Sequence, residues 1–353
     1  MQAAGCVAVI ALAFVPWLAA TTRRAWRRAA QRRRCPVCAT GMLVNLPVSG
    51  GDVDRLVGCP RCGYRIPRLY RALPRLSFLA VGMPASGKTH WLVEAFHQIS
   101  RRNVPAEVVV EPLGPAERVA ALQTAVRAVW EGQGSVRAAL AAIAGDGPLV
   151  LHGKDPRRSD PGALLHLFEA PGRRPDETDR ARIERTTGVL LFLDPTQPVA
   201  VQQRWLDELV ARLRVVRRVA GGRPVPLPVA VCLARLDRVP GGTDAGALAL
   251  PWLEQLQATM RSRVDRTLVL RRSDLVRTQL PALFPGWNLV RTLEQAFGGE
   301  VVFFPMSTVG IAEGERLLAV QSEDGVVDRF LMPFGILEPL LWLMHRRGYD
   351  VLD

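Results

Sequence analysis

Residues 82–89 read GMPASGKT, preceded by RLSFLAV and followed by HWLVEAFHQI. An apolar run, a glycine loop and a helical pattern in this order leave few options for the local fold. The spacing Gly82-x-x-x-x-Gly87-Lys88-Thr89 is a complete P-loop. Its glycines let backbone N–H groups curl around phosphates, Lys88 reaches the β- and γ-phosphates, and the Thr89 hydroxyl is placed to ligate Mg²⁺. A helix starting at Lys88 adds the positive end of its dipole to the same point. The first expectation is a nucleotide-phosphate site at a strand-to-helix turn.

From residue 73 onward, strand-like runs alternate with helical patterns: AEVVVEPL, an amphipathic stretch at 116–130, GPLVLHG, LLHLFEAPG, GVLLFLDP, the helical VAVQQRWLDELVARLRVV, LPVAVCLARLD and EVVFFPMSTVG. Such alternation predicts an α/β domain over 73–346, a P-loop NTPase with a doubly wound, mostly parallel sheet. The closing FLMPFGILEPLLWLMHRR is read as an amphipathic helix packing on that sheet rather than as a second membrane span.

Several strand ends carry candidate nucleotide readers, and strand C-termini are where doubly wound sheets bind ligands. LLHLFEAPG ends in Glu169-Ala-Pro-Gly172, similar to the D-x-x-G element of GTPases. There the acid touches the Mg²⁺ shell and the glycine N–H meets the γ-phosphate. VAVCLARLD ends in Ala234-Arg235-Leu236-Asp237, where GTPases carry [NT]-K-x-D. Asp237 would accept from guanine N1 and N2, and Arg235 would stack its planar guanidinium on the base. VVFFPMSTVG offers Ser307-Thr308 for a turn whose backbone N–H meets guanine O6. The expected nucleotide contacts are Gly82, Ser86, Gly87, Lys88, Thr89, His90, Glu169, Gly172, Arg235, Asp237, Ser307 and Thr308. Lys88, Thr89 and Gly172 would serve catalysis, and Thr89 with Glu169 would hold magnesium. An alternative ATPase reading uses Asp194, at the end of GVLLFLDP, as the metal acid.

The chain begins differently. Of its net charge of +13, residues 1–75 supply +11, from 13 Arg and two Asp. The basic character therefore says little about the main domain. Residues 1–22 contain no charge, and the run at 3–20 spans roughly 27 Å as a helix, enough to cross a bilayer core. RRAWRRAAQRRR follows at 23–34, with seven Arg in twelve residues. Cationic residues stay on the cytoplasmic side, so the expectation is a single-pass anchor at 1–22 in the cytoplasmic membrane with the bulk of the chain in the cytoplasm. A cleaved signal peptide would carry its charge before the apolar run. Nucleic-acid binding by the arginine run is weighed against this and not favoured.

Cys35, Cys38, Cys59 and Cys62 form CPVC and CPRC, two C-x-x-C pairs. Two such turns complete a tetrahedral thiolate site for a structural Zn²⁺, which defines a zinc ribbon at 35–68. The alternatives are two disulfides, which an Arg-flanked cytoplasmic region argues against, and a redox motif, which lacks a surrounding thioredoxin-like unit. The ribbon is expected to act as a linker between anchor and domain.

With GMPASGKT, LFEAPG, GVLLFLDP, VAVCLARLD, FFPMSTVG and PFGILEPLLWL in this order, the span from 73 to 345 resembles the GTPases of bacterial double-GTPase systems, within the translation-factor-related P-loop class. An N-terminal membrane segment and zinc ribbon also fit such proteins. The resemblance implies GTP/GDP, a partner GTPase or effector, and a role in bacterial conflict. The departures are Glu169 for Asp and Ala234 for Asn or Thr. No Thr lies between Thr124 and Thr178, with Ser135 the nearest substitute for a switch Thr, and Arg173-Arg174 stand where a water-orienting Gln is common. Slow intrinsic hydrolysis is expected, with residues 169–187 ordering around the γ-phosphate. A scaffold that binds without turnover is the third reading.

Overall fold

The computed structural model describes residues 34–38, 41–46, 56–102, 104, 108–131, 138–139, 149–154, 162–169, 177–236, 239, 264–298, 300–308 and 333–352. The expected anchor at 1–22 and almost all of the basic segment lie outside them. Among the described residues, no helix is long and apolar enough to cross a membrane.

Three short strands, β1 (Val44–Asn45), β2 (Leu56–Gly58) and β3 (Arg65–Pro67), form an antiparallel sheet in the cysteine-bearing region. The main sheet has seven strands. They are β4 (Arg75–Gly82), β5 (Val109–Pro112), β6 (Leu149–Lys154), β7 (Ala163–Glu169), β8 (Gly188–Leu193), β9 (Val229–Leu233) and β10 (Val301–Pro305), in the order β10-β9-β8-β4-β7-β6-β5. Both neighbours of β6 run antiparallel to it, and the other pairs are parallel.

Strand residues alternate between two cores. Leu76, Phe78, Ala80, Leu190 and Phe192 face α1 (Lys88–Ser100), α2 (Ala116–Trp130) and α7 (Glu338–His345). Leu79, Val81, Val189, Leu191 and Leu193 face α3 (Glu177–Glu184), α4 (Val199–Arg217), α5 (Arg266–Leu283) and α6 (Leu289–Phe297). Burial on both faces is why these strands read as continuous apolar runs.

Two expectations are corrected. The closing helix α7 is not amphipathic: Glu338 to Met344 are all buried. Gly188 and Gly153 make room for it, because a Cβ at either would come within 2.8 Å of Leu343 or Met344. Its one charge, Glu338, pairs with the equally buried Arg272 at 2.7 Å. Burial raises the Glu338 pKa and Arg272 opposes that rise. The second correction concerns the ribbon, which is not a free linker. Cys35, Leu43, Val57, Ile66, Tyr70 and Leu73 form one buried cluster with Val150 of β6 and Leu164 of β7. The Tyr70 ring stacks on His166 of β7, with centroids 5.4 Å apart, and the Arg75 guanidinium lies 3.9 Å from the centroid of the Tyr70 ring. The ribbon thus covers sheet surface over β6 and β7 that would otherwise face water.

Candidate functional site

Register decides what meets at the sheet edge. Gly82 ends β4 opposite Phe192, while Ala80 pairs with Glu169, so the last residues of β7 and β8 flank the P-loop strand. Beyond the strands the ladder continues, with Ala234 N–H donating to Leu193 O and Met306 N–H to Leu233 O. The P-loop, Glu169, Asp194, Ala234-Arg235 and Ser307-Thr308 all emerge at one edge of the sheet. Glu169 is placed by its backbone. Gly172, Asp237 and the 170–176 segment lie outside the described residues.

The loop is built by close approach. A Cβ at Gly82 would lie 2.8 Å from Phe192 O and 2.6 Å from Ser86 Oγ, so nothing larger fits there. Gly87 adopts φ +86° and opens α1 with no side-chain cap, leaving the first-turn N–H groups for an anion. Ser86 is buried, and its N–H donates to Met83 O. The Lys88 Nζ donates to Gly82 O and Met83 O, both at 2.8 Å, and to Ser86 Oγ at 3.4 Å. Thr89 is half-buried and His90 exposed at the helix start. Ala85 is held at φ +61°, a conformation that costs an L-residue about 1–2 kcal/mol.

Arg235 is strained in the same way, at φ +59°, and the two strained residues meet. Arg235 Nη1 donates to Ala85 O at 3.1 Å and to Asp194 Oδ2 at 3.0 Å. Asp194 is fully buried, and its other oxygen accepts from the Thr196 N–H and hydroxyl. Gln202 brackets the Asp194 backbone, accepting from its N–H and donating to its carbonyl. Gln197 ties the same turn to Pro84 O. Ala234 sits under the loop, since a Cβ at Gly87 would touch its methyl at 3.5 Å. Arg235 therefore carries the link from this turn to the P-loop that an Asn or Thr at 234 would have made. Sequence reasoning missed the Arg235–Asp194 pair because 41 residues separate the partners.

Asp194 has both carboxylate oxygens engaged, which counts against its use as the metal acid. At β10, Ser307 exchanges both backbone hydrogen bonds with Phe334. A base-facing N–H from this turn would have to come from Thr308.

The four cysteine sulfurs lie within 4.8 Å of one another. Cys35–Cys62 and Cys38–Cys59 are each 3.6 Å apart. Tetrahedral Zn–S bonds of about 2.3 Å require edges of about 3.8 Å. Backbone N–H groups of Val37 and Gly41 point at Cys35 and Cys38, as thiolates require. Gly41 is obligatory because a Cβ there would come within 2.4 Å of Cys59 Sγ. These residues fit a four-thiolate zinc site.

No family model matches the sequence, and neither does any curated protein. Among solved structures, the chain is similar to the S. cerevisiae Ski7 GTPase-like domain bound to GTP, at 12% identity, TM-score 0.36, covering 78% of this chain and 51% of that one. It is also similar to Sup35 complexed with GMPPNP, at 11% identity and TM-score 0.27, covering 79% and 46%. A third is a GTP-binding protein of Sulfolobus solfataricus in complex with GDP, at 12% identity and TM-score 0.26, covering 66% and 47%. The chain spans about half the length of these proteins.

Proposed function

We propose that this chain binds a guanine nucleotide with Mg²⁺ and works as a slow, nucleotide-dependent switch. One observation carries the reading: a single sheet edge presents the P-loop, the acid-ended strand β7, the Arg235 turn that leads into Asp237, and the 307–308 turn. Thr89 and Glu169 would hold the magnesium ion, which would neutralise charge between the β- and γ-phosphates. Asp237 would select guanine over adenine. Arg173 and Arg174 cannot act as general bases, so hydrolysis would wait on a group from a partner. Attachment to the cytoplasmic membrane through residues 1–22, and a partner GTPase in a conflict system, belong to the same proposal.

The test is equilibrium binding of GTP, GDP and ATP to the full chain with Mg²⁺. Guanine nucleotides should bind at least tenfold tighter than ATP, and Asp237→Ala should abolish that preference while sparing phosphate contacts. Equal binding of ATP, or an unchanged preference in the variant, rejects the assignment. Single-turnover hydrolysis with and without candidate partners separates a switch from a scaffold that never turns over.

A further inference from the structure

The small sheet of the ribbon has two apolar faces, and one of them packs on the domain. Val57 pairs with Asn45 on one side and Ile66 on the other, while Gly58 pairs with Val44 and Arg65. Residues directly opposite share a face, and successive residues alternate between faces. Leu43, Val57 and Ile66 therefore point inward, where they are buried with Val150 and Leu164. The outer face carries Met42, Val44, Leu46, Leu56 and Pro67, with Arg65 among them. Leu46 lies across Gly58, where an added Cβ would come within 2.8 Å of it. Met42 is 45% exposed and Val44 46%.

The same region is basic. Residues 34–75 contain seven Arg and two Asp. A zinc ion on four thiolates adds a net −2, which leaves +3. Arg65 on the outer face and Arg68 at the end of β3 are both exposed.

The course of the chain says what can reach this face. Arg34 bridges to Met42, so the chain enters the ribbon beside the outer row. Twelve residues, 23–34, connect that point to the uncharged run at 1–22, and seven of them are Arg. They reach about 40 Å when extended and about 18 Å as a helix. A bilayer holding residues 1–22 is therefore within reach of Met42 and Val44. Two copies joined by this face would bring like charges together, and a phosphodiester strand would use the charge but leave the aliphatic row in water. An anionic lipid surface uses both properties.

We propose that the outer face of the ribbon docks on an anionic bilayer surface, with Met42, Val44 and Leu46 entering the headgroup region and Arg65 and Arg68 meeting lipid phosphates. This rests on the attachment through residues 1–22 proposed above and adds a second, peripheral contact to it. Because the inner face packs on β6 and β7, the contact would orient the whole domain on the membrane.

The experiment uses the zinc-loaded full chain with vesicles of phosphatidylcholine, alone or mixed with phosphatidylglycerol. Flotation with the neutral vesicles reports the 1–22 attachment by itself. A benzoylphenylalanine photoprobe at position 44 reports the face, and the same probe in place of Val215, an exposed residue of α4, is the control. Lipid adducts are expected at 44 and not at 215, in severalfold higher yield on the mixed vesicles. Arg65→Gln with Arg68→Gln should cut that yield severalfold, since each basic residue near an anionic surface is worth about fivefold in partitioning. Flotation with neutral vesicles should not change in the double variant. A probe at position 42 repeats the test if the probe at 44 lowers the bound zinc. Flotation without lipid adducts at 42 or 44 overturns the docking and leaves the attachment standing. Adducts on mixed vesicles without flotation on neutral ones support the docking and reject the attachment. No association with either vesicle overturns both. Adducts that join two chains, equal adducts at 44 and 215, or an unchanged yield in the double variant also overturn the docking.

Discussion

Replacing Arg235 with Ala would remove the cation that the structure places on the fully buried carboxylate of Asp194. Asp194 is 0% exposed and Arg235 27% exposed, at 3.0 Å. Stripping one partner from a buried pair costs about 3–5 kcal/mol, because the other charge is left uncompensated. Asp194 would keep two bonds from Thr196 on its other oxygen, and Arg235 is partly solvated, so the expected loss is about 3 kcal/mol, the low end of that range. Asp194→Asn in the same chain removes the stranded charge and keeps an acceptor for Thr196. The double variant should lose only about 1 kcal/mol, one ordinary hydrogen bond. Guanidinium denaturation of the full chain measures both. Nucleotide affinity gives an independent reading: the bond to Ala85 O is missing in both proteins, so affinity should fall in both and not recover in the double variant. A double variant no more stable than Arg235→Ala would refute the pairing argument. A loss of affinity without loss of stability would point instead to a guanidinium that only stacks on the base.

Other outcomes follow from the same structure. Glu94 is buried with its pKa raised to about 7, mainly by desolvation and against the bond from Gln98. The folded chain then holds this proton more tightly than the unfolded chain, so stability is full below the unfolded pKa of about 4.5 and falls as pH rises to about 7. Glu94→Gln should remove up to about 3 kcal/mol of that fall, seen as a flatter curve of denaturation midpoint against pH. Chelation of zinc should expose Tyr70 and quench or shift its fluorescence, with a fall in the melting temperature of the whole chain rather than of the ribbon alone. Gly41→Ala should reproduce that effect by forcing Cys59 Sγ out of the cluster. It should do so with a weaker zinc affinity in a competition assay.

The parts of this fold that sequence reveals are those whose determinants are local. The strand-loop-helix around Gly87 and the helix at 116–130 came from spacing and periodicity, and the structure shows α2 over Ala116–Trp130. Four cysteines in two short turns announced their own cluster. What escaped depends on residues far apart in the chain. Periodicity cannot show that Gly153 and Gly188 hollow out a seat where every residue of α7 from 338 to 344 is covered. Nor could it pair Asp194 with Arg235, or show that Ser307 gives its backbone to Phe334 across a gap of 27 residues. The ribbon's docking rests on Tyr70 meeting His166, two polar aromatics that alone suggest surface.

That docking has a practical bearing on where the chain can be cut. A fragment beginning at Leu73 looks natural by motif, since it keeps every P-loop and strand-end element. It would uncover Val150, Leu164 and His166, which the ribbon now keeps from water. Such a fragment would present an apolar strip across β6 and β7 and should self-associate on purification. The smallest autonomous unit therefore starts ahead of Cys35, and zinc belongs in its growth medium.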